Sequence, residues 1–222
     1  MRTVLASSLL ALSLTLAAPA IATSYGFDTT VTAPLTSAVK IEVVVSEDMA
    51  HRANNLPEKL SDRSSARGLR SGFAGNGFYG DRDIERLTER LESKLEQKFA
   101  KKGILISDTA STILRITIED AKPNRPTFNQ LSKQPSLSFQ SIGNGGAKLE
   151  AELIAADGQS LGTMSYRYYE TDIRDARFGG TWGDAHRAFG RFASKAAKTL
   201  SYGMPIYLWA CKLSRHYGCA RQ

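Results

Sequence analysis

Three histidines (His51, His186, His216) and two cysteines (Cys211, Cys219) are the residues of this chain most suited to acid–base, nucleophilic or metal chemistry. Their spacing supports little of it. His186 follows Asp184 by two positions on a segment that reads as helical, so the two side chains diverge and the carboxylate cannot orient the imidazole. Neither the G-x-S-x-G of a nucleophile elbow nor the H-E-x-x-H of a helical zinc protease occurs. Cys211, His216 and Cys219 form C-x4-H-x2-C, one ligand short of a closed structural zinc site. If the chain is exported to an oxidising compartment, the default for its only two cysteines is a disulfide between Cys211 and Cys219, which would stabilise by ~2–3 kcal/mol on the loop-entropy model. Asp172 with Asp175, and Glu150 with Glu152, read as solvated charges, because paired acids become catalytic only through burial. No catalytic residue, metal or cofactor is expected.

Gly75-Asn76-Gly77-Phe78-Tyr79-Gly80 matches G-x-G-x-x-G and precedes a helix. A dinucleotide cradle needs a strand directly before it, and here the preceding stretch is polar and arginine-rich. Asp81 and Asp83 would also repel a pyrophosphate at that helix start. The motif is expected to be a mobile glycine-rich loop with Phe73, Phe78 and Tyr79 as aromatic tips.

The most specific chemical feature is a run of positive charge. After Asp184 there is no acidic residue, but there are seven basic ones: Arg187, Arg191, Lys195, Lys198, Lys212, Arg215 and Arg221. The whole chain carries 29 Lys and Arg against 22 Asp and Glu, a net +7, so this tail accounts for the entire excess. Arg187, Arg191, Lys195 and Lys198 recur at helical spacing opposite Phe189 and Ala196. An ordinary solvated helix face mixes both signs, and this one does not. The apolar, aromatic run Met204 to Ala210, with Trp209, then leads into Lys212 and Arg215. It is too short to span a bilayer, but an aromatic-plus-basic segment can dock on an anionic surface. The alternative is a short element completing the core.

These residues need elements to position them. Residues 23–38 read as an extended lead-in, and Val39 to Val45 as a strand. Residues 46–80 have little apolar content and read as a long loop. Ile84, Leu87, Leu91, Leu95 and Phe99 paint one face of a helix, with Asp81 or Asp83 as cap and Gly103 as a left-handed stop. Ile104 to Ile106 begins a strand or ends a turn. Thr112 to Glu119 alternates as a strand, and residues 121–146 form a second long loop. Lys148 to Ala156 and Leu161 to Tyr169 pair across the Asp157-Gly158 hairpin signal. The last helix runs from Trp182 to Ser201, with Thr181 and Asp184 in a capping-box spacing and Trp182, Ala185, Phe189, Phe192, Ala196 and Leu200 as its apolar stripe. The fold expected is α+β: a mostly antiparallel sheet of four to five strands with two helices on one face, in the order β-α-β-(long loop)-β-β-α. The domain spans 39–203, and 204–222 is a disulfide-pinned tail.

Residues 1–22 read as a secretory signal peptide: Arg2, an apolar stretch from Val4 to Ala18, and small-residue cleavage patterns ending at Ala22. No cysteine lies near that site for a lipid anchor. The expected location is periplasmic or secreted, with no transmembrane span in the mature chain. In that compartment nucleic acid is not an expected partner.

Lys101-Lys102-Gly103-Ile104, Ile116-Thr117-Ile118-Glu119-Asp120, Asn124-Arg125-Pro126, Ala156-Asp157-Gly158 and Thr181-Trp182-Gly183-Asp184-Ala185 together resemble a group of exported proteobacterial proteins of unknown function. More loosely, the architecture resembles the small periplasmic α+β domains of envelope-assembly and transport-auxiliary lipoproteins, without their anchor cysteine. The resemblance implies an envelope binding or assembly role and carries no catalytic residues. The expected function is a non-enzymatic envelope accessory protein whose partner is anionic: a lipid surface met peripherally, a cell-wall polymer or an acidic protein. The expected contacts are Arg187, Arg191, Lys195, Lys198, Trp209, Lys212 and Arg215. The alternatives are a secreted hydrolase with its site under the 46–80 and 121–146 loops, and a homo-oligomeric module pairing through edge strands.

Overall fold

A computed structural model describes residues 26–55, 72–75 and 77–201. The signal-peptide reading, Cys211, Cys219, His216, Trp209, Lys212 and Arg215 lie outside those residues. The architecture is α+β, as expected. Five strands, β1 (Phe27–Thr29), β2 (Val39–Val45), β3 (Thr112–Lys122), β4 (Gly146–Ile154) and β5 (Ser160–Tyr169), form one sheet in the order β1-β5-β4-β3-β2. Only β2 and β3 pair in parallel; the other three pairings are antiparallel. The helices are α1 (Glu47–Asn54), α2 (Gly72–Gly75), α3 (Asp81–Lys102), α4 (Phe128–Lys133) and α5 (Gly183–Ser201).

Alternation along the strands decides which face is covered. Leu114, Ile116 and Ile118 of β3 and Leu149, Ala151 and Leu153 of β4 are buried beneath α3 and α5. Leu87, Leu91, Leu95 and Phe99 of α3 and Phe189, Phe192, Ala196 and Leu200 of α5 meet them with no exposure. The other face is wet, and its charges pair among themselves, Lys40 with Glu42, Arg115 with Glu42 and Lys148 with Glu150. The Asp157-Gly158 turn closes the β4–β5 hairpin with Gly158 at φ 83°. Gly103 ends α3 in the left-handed region, its N–H donating to Ala100 O. Ile104 to Ile106 is no strand of its own and makes a single parallel bridge, Ile106 to Val39.

α3 and α5 run side by side in the same direction. Trp182 Nε1 donates to Asp83 at their starts (3.0 Å), and Ile104 and Leu200 share a small cavity at their ends. Asp83 is thereby spent on the indole, and Asp81 accepts from Asn54, so α3 begins at Gly80 with no side-chain cap. Asp184 likewise does not serve a capping box with Thr181. Its buried carboxylate accepts from Asn124 Nδ2 (2.6 Å) and from Arg177 N–H.

The two expected loops contain structure. Within 46–80, Ser46 caps α1 by accepting from Met49 N–H, and only Met49 and Ala53 of that helix are buried. The lead-in holds the short strand β1, and 121–146 holds α4, opened by a capping box of Thr127 and Gln130. The glycine motif caps a helix. Phe78 N–H donates to Arg52 O and Gly80 N–H to Ala53 O, satisfying the last carbonyls of α1. A Cβ on Gly77 (φ 72°) would meet the carbonyls of Arg52 and Asn55 at 2.8 Å. Phe73 and Tyr79 are core residues rather than tips, because the docked segment carries them inward.

Candidate functional site

The helical row expected on α5 is present, and its four members differ. Arg187 is held by its neighbours: Nη1 donates to Glu170 Oε2 (2.8 Å) and to the Tyr168 hydroxyl (2.7 Å), and Nη2 to Asp175 O. Burial pushes the Glu170 carboxyl up. Hydrogen bonds from Tyr168, from the Asp172 and Thr171 N–H groups and the Arg187 charge outweigh it, holding the group below the usual carboxylate range. Arg187 is therefore a structural cation. Arg191 and Lys195 are exposed, and each rests on an aromatic ring, Arg191 4.5 Å from the centre of Tyr168 and Lys195 5.6 Å from that of Phe27. Lys198 is exposed at the end of the row.

The structure adds a second row that the α5 reading lacked. Arg90, Lys94 and Lys98 recur every four residues along α3 on the flank turned to α5. With Gln97, His186, Gly190 and Ser194, the lysines and the α5 cations line a groove of about 410 Å3 between the helices. No carboxylate lines it. Among the described residues none lies within ion-pair distance of Lys94, Lys98, Arg191 or Lys195. Glu85, Glu89, Glu92 and Glu96 of α3 sit on the opposite flank, where burial and the charges of Glu96 and Glu89 raise the Glu92 carboxyl, and Asp83, which faces α5, is taken up by Trp182. The basic row and the glutamates of α3 thus lie on separate sides rather than pairing at i,i+4 spacing. The signal was legible as R-x3-K-x3-K beside the Leu91, Leu95, Phe99 stripe.

His186 stands in this groove, pushed down to about 4 by burial and by the Arg90 and Lys94 charges. It is neutral at pH 7 and offers a hydrogen bond instead of a charge. Gly190 occupies the middle of α5, where glycine is less favourable than alanine by roughly 0.5–1 kcal/mol. A Cβ there would meet nothing within 4 Å. Packing does not require the glycine; its effect is to keep the groove floor low.

A second cavity, about 340 Å3, adjoins the first across Arg191 and Lys195 and is lined by Phe27, Tyr166, Tyr168, Tyr169 and Glu170. Beyond it, Tyr169 donates to Asp120, which also pairs with Arg52 at 2.8 Å. Burial first, then the Asp120 charge, push the Tyr169 phenol far up, so it stays protonated.

The loops proposed to shelter a hydrolase site pack on each other. Gln130 Nε2 donates to Phe73 O and Gly77 O, both at 2.8 Å, and Tyr79 stacks edge-on against Trp182. His51 is exposed on α1. Among the described residues no three His, Cys, Asp or Glu side chains could hold a metal ion together, and no helix is long and apolar enough to cross a membrane.

No family model and no curated protein matches the chain. Solved structures with a similar fold include two PelC dodecamers from Paraburkholderia phytofirmans. One, a variant, is 9% identical with a TM-score of 0.42 over 79% of this chain and 96% of that one; the other is 14% identical with a TM-score of 0.39 over 79% and 98%. A minor lipoprotein from Acinetobacter baumannii is 10% identical, with a TM-score of 0.31 over 75% and 93%. Likeness of this degree concerns chain tracing and carries no argument about function.

Proposed function

We propose that this is a non-enzymatic accessory protein of the bacterial cell envelope that binds an anionic partner through the basic face of α5. The observation that carries the reading is the placement of Arg191 and Lys195, exposed, seated on aromatic rings, and with no carboxylate within ion-pair distance among the described residues. Arg187 and Lys198 belong to that face, Arg187 acting by holding its shape rather than by contact, and Trp209, Lys212 and Arg215, which lie outside the described residues, are further contacts in the proposal. Cations fixed on ring faces lose less side-chain freedom on binding than mobile lysines do.

The test is co-sedimentation of the mature protein with purified cell wall and with anionic vesicles, at low and at moderate salt. Binding is expected to weaken as salt shortens the screening length to about 8 Å. The double substitution R191Q/K195Q is expected to reduce it by tenfold or more while far-UV circular dichroism is unchanged. Equal binding by the variant, or none by the wild type, would refute the assignment.

A further inference from the structure

We propose that the groove between α3 and α5 is a binding site for a linear acidic glycan, a chain of sugar rings carrying carboxylates or phosphates. The inference deepens the α5 assignment above and rests on it. The two helices run in the same direction, and Lys94 and Lys98 of one and Arg187, Arg191 and Lys195 of the other line one groove as two rows. Within each row the spacing of four residues sets successive charges about 6 Å apart along the axis. Such a ladder suits repeated charges on an extended polymer better than one compact anion. The groove is also lined by Gln97, Ser194 and the neutral imidazole of His186, which suit hydroxyl groups. Gly190 leaves the floor clear where the chain would pass.

Two other polyanion classes fit less well. Binding a single-stranded nucleic acid calls for rings on which bases stack, and among the described residues no Phe, Tyr or Trp lines this groove. A membrane surface calls for apolar side chains that enter the acyl boundary. The large exposed hydrophobic residues of the described chain, Val44, Leu105, Phe128, Phe139, Ile142 and Leu161, are not among those lining it.

The experiment is titration calorimetry of the mature protein with polygalacturonate, with monomeric galacturonate and with phosphatidylglycerol vesicles, each at several salt concentrations. Three variants are compared with wild type: K94Q/K98Q on α3, G190L on the groove floor, and R191Q/K195Q on α5. Circular dichroism and thermal melting check that each is folded. The polymer is expected to bind, and the monomer at least tenfold more weakly per charge. K94Q/K98Q is expected to lose about tenfold at low salt and to flatten the log affinity against log salt slope by about 1–2. G190L changes no charge and is expected to lose a similar factor by filling the floor.

Loss in R191Q/K195Q alone, with K94Q/K98Q and G190L unaffected, would overturn the groove while leaving the α5 assignment standing. Binding to vesicles but not to the polymer, or equal binding of monomer and polymer, would overturn the glycan. Binding of none of the three probes would sink both readings.

Discussion

At the scale of single residues, His186 gives the sharpest test of the groove's electrostatics. An imidazole held down to about 4 takes up its proton more readily in the unfolded chain, whose histidine keeps its ordinary value of 6.5. Between those values each fall in pH favours unfolding. Wild type is therefore expected to lose melting temperature between pH 7 and pH 5 more steeply than His186→Gln. Parallel curves would mean that neither burial nor the Arg90 and Lys94 charges hold the ring below its ordinary value. Glu170→Gln probes the clamp on Arg187. Removing the carboxylate leaves Arg187 only its longer pair with Asp184 (3.7 Å) and adds net positive charge beside the groove, so affinity for a polyanion is expected to rise a few-fold, read by the same calorimetry. Asn124 is the buried hub behind this region. Its side chain donates to Gly143 O (3.1 Å) and to Asp184, and accepts from Asp184 N–H (2.8 Å). Asn124→Ala strands those groups without water, and urea denaturation is expected to show a loss of about 2–4 kcal/mol.

At the scale of elements, the glycine-rich segment ahead of α3 works by capping α1. Gly77→Ala would put a Cβ against two carbonyls at a φ of 72°, so a loss of about 1–3 kcal/mol is expected in urea unfolding. A loss below about 0.5 kcal/mol, the size of an ordinary surface change, would show that the latch contributes nothing. The same region marks where sequence reading succeeds and stops. α3, β3, the β4–β5 hairpin and α5 declare themselves because long apolar periodicities repeat the same message several times. α1 buries only Met49 and Ala53, β1 is three residues long and depends on pairing with β5, and α4 has a single turn and a half behind its capping box. None of these carries enough periodic residues to be read without its partner. The site divides in the same way. The α5 row stands out because no acid interrupts it. The α3 row is masked along the chain by Glu85, Glu89, Glu92 and Glu96, and the two signs separate only when angle around the helix is considered. That Arg187 is committed to Glu170 depends on a contact across 17 residues of chain that no local pattern encodes.

At the scale of the whole molecule, the two faces of the sheet divide the work. One face is neutralised by its own ion pairs, whereas the layer of helices on the other gathers unpaired positive charge along one seam. Two aligned helices with cations facing each other repel, and that repulsion is present whenever the seam is empty. Added salt is therefore expected to raise the melting temperature, the reverse of what a surface held by ion pairs would do, and K94Q/K98Q is expected to start higher and respond less. Any anion that settles between the rows relieves the same strain, and its contribution grows with concentration over its dissociation constant. The protein thus acts as its own thermometer for occupancy: a melting screen across acidic sugars would rank candidate ligands by the heat each one lets the fold withstand.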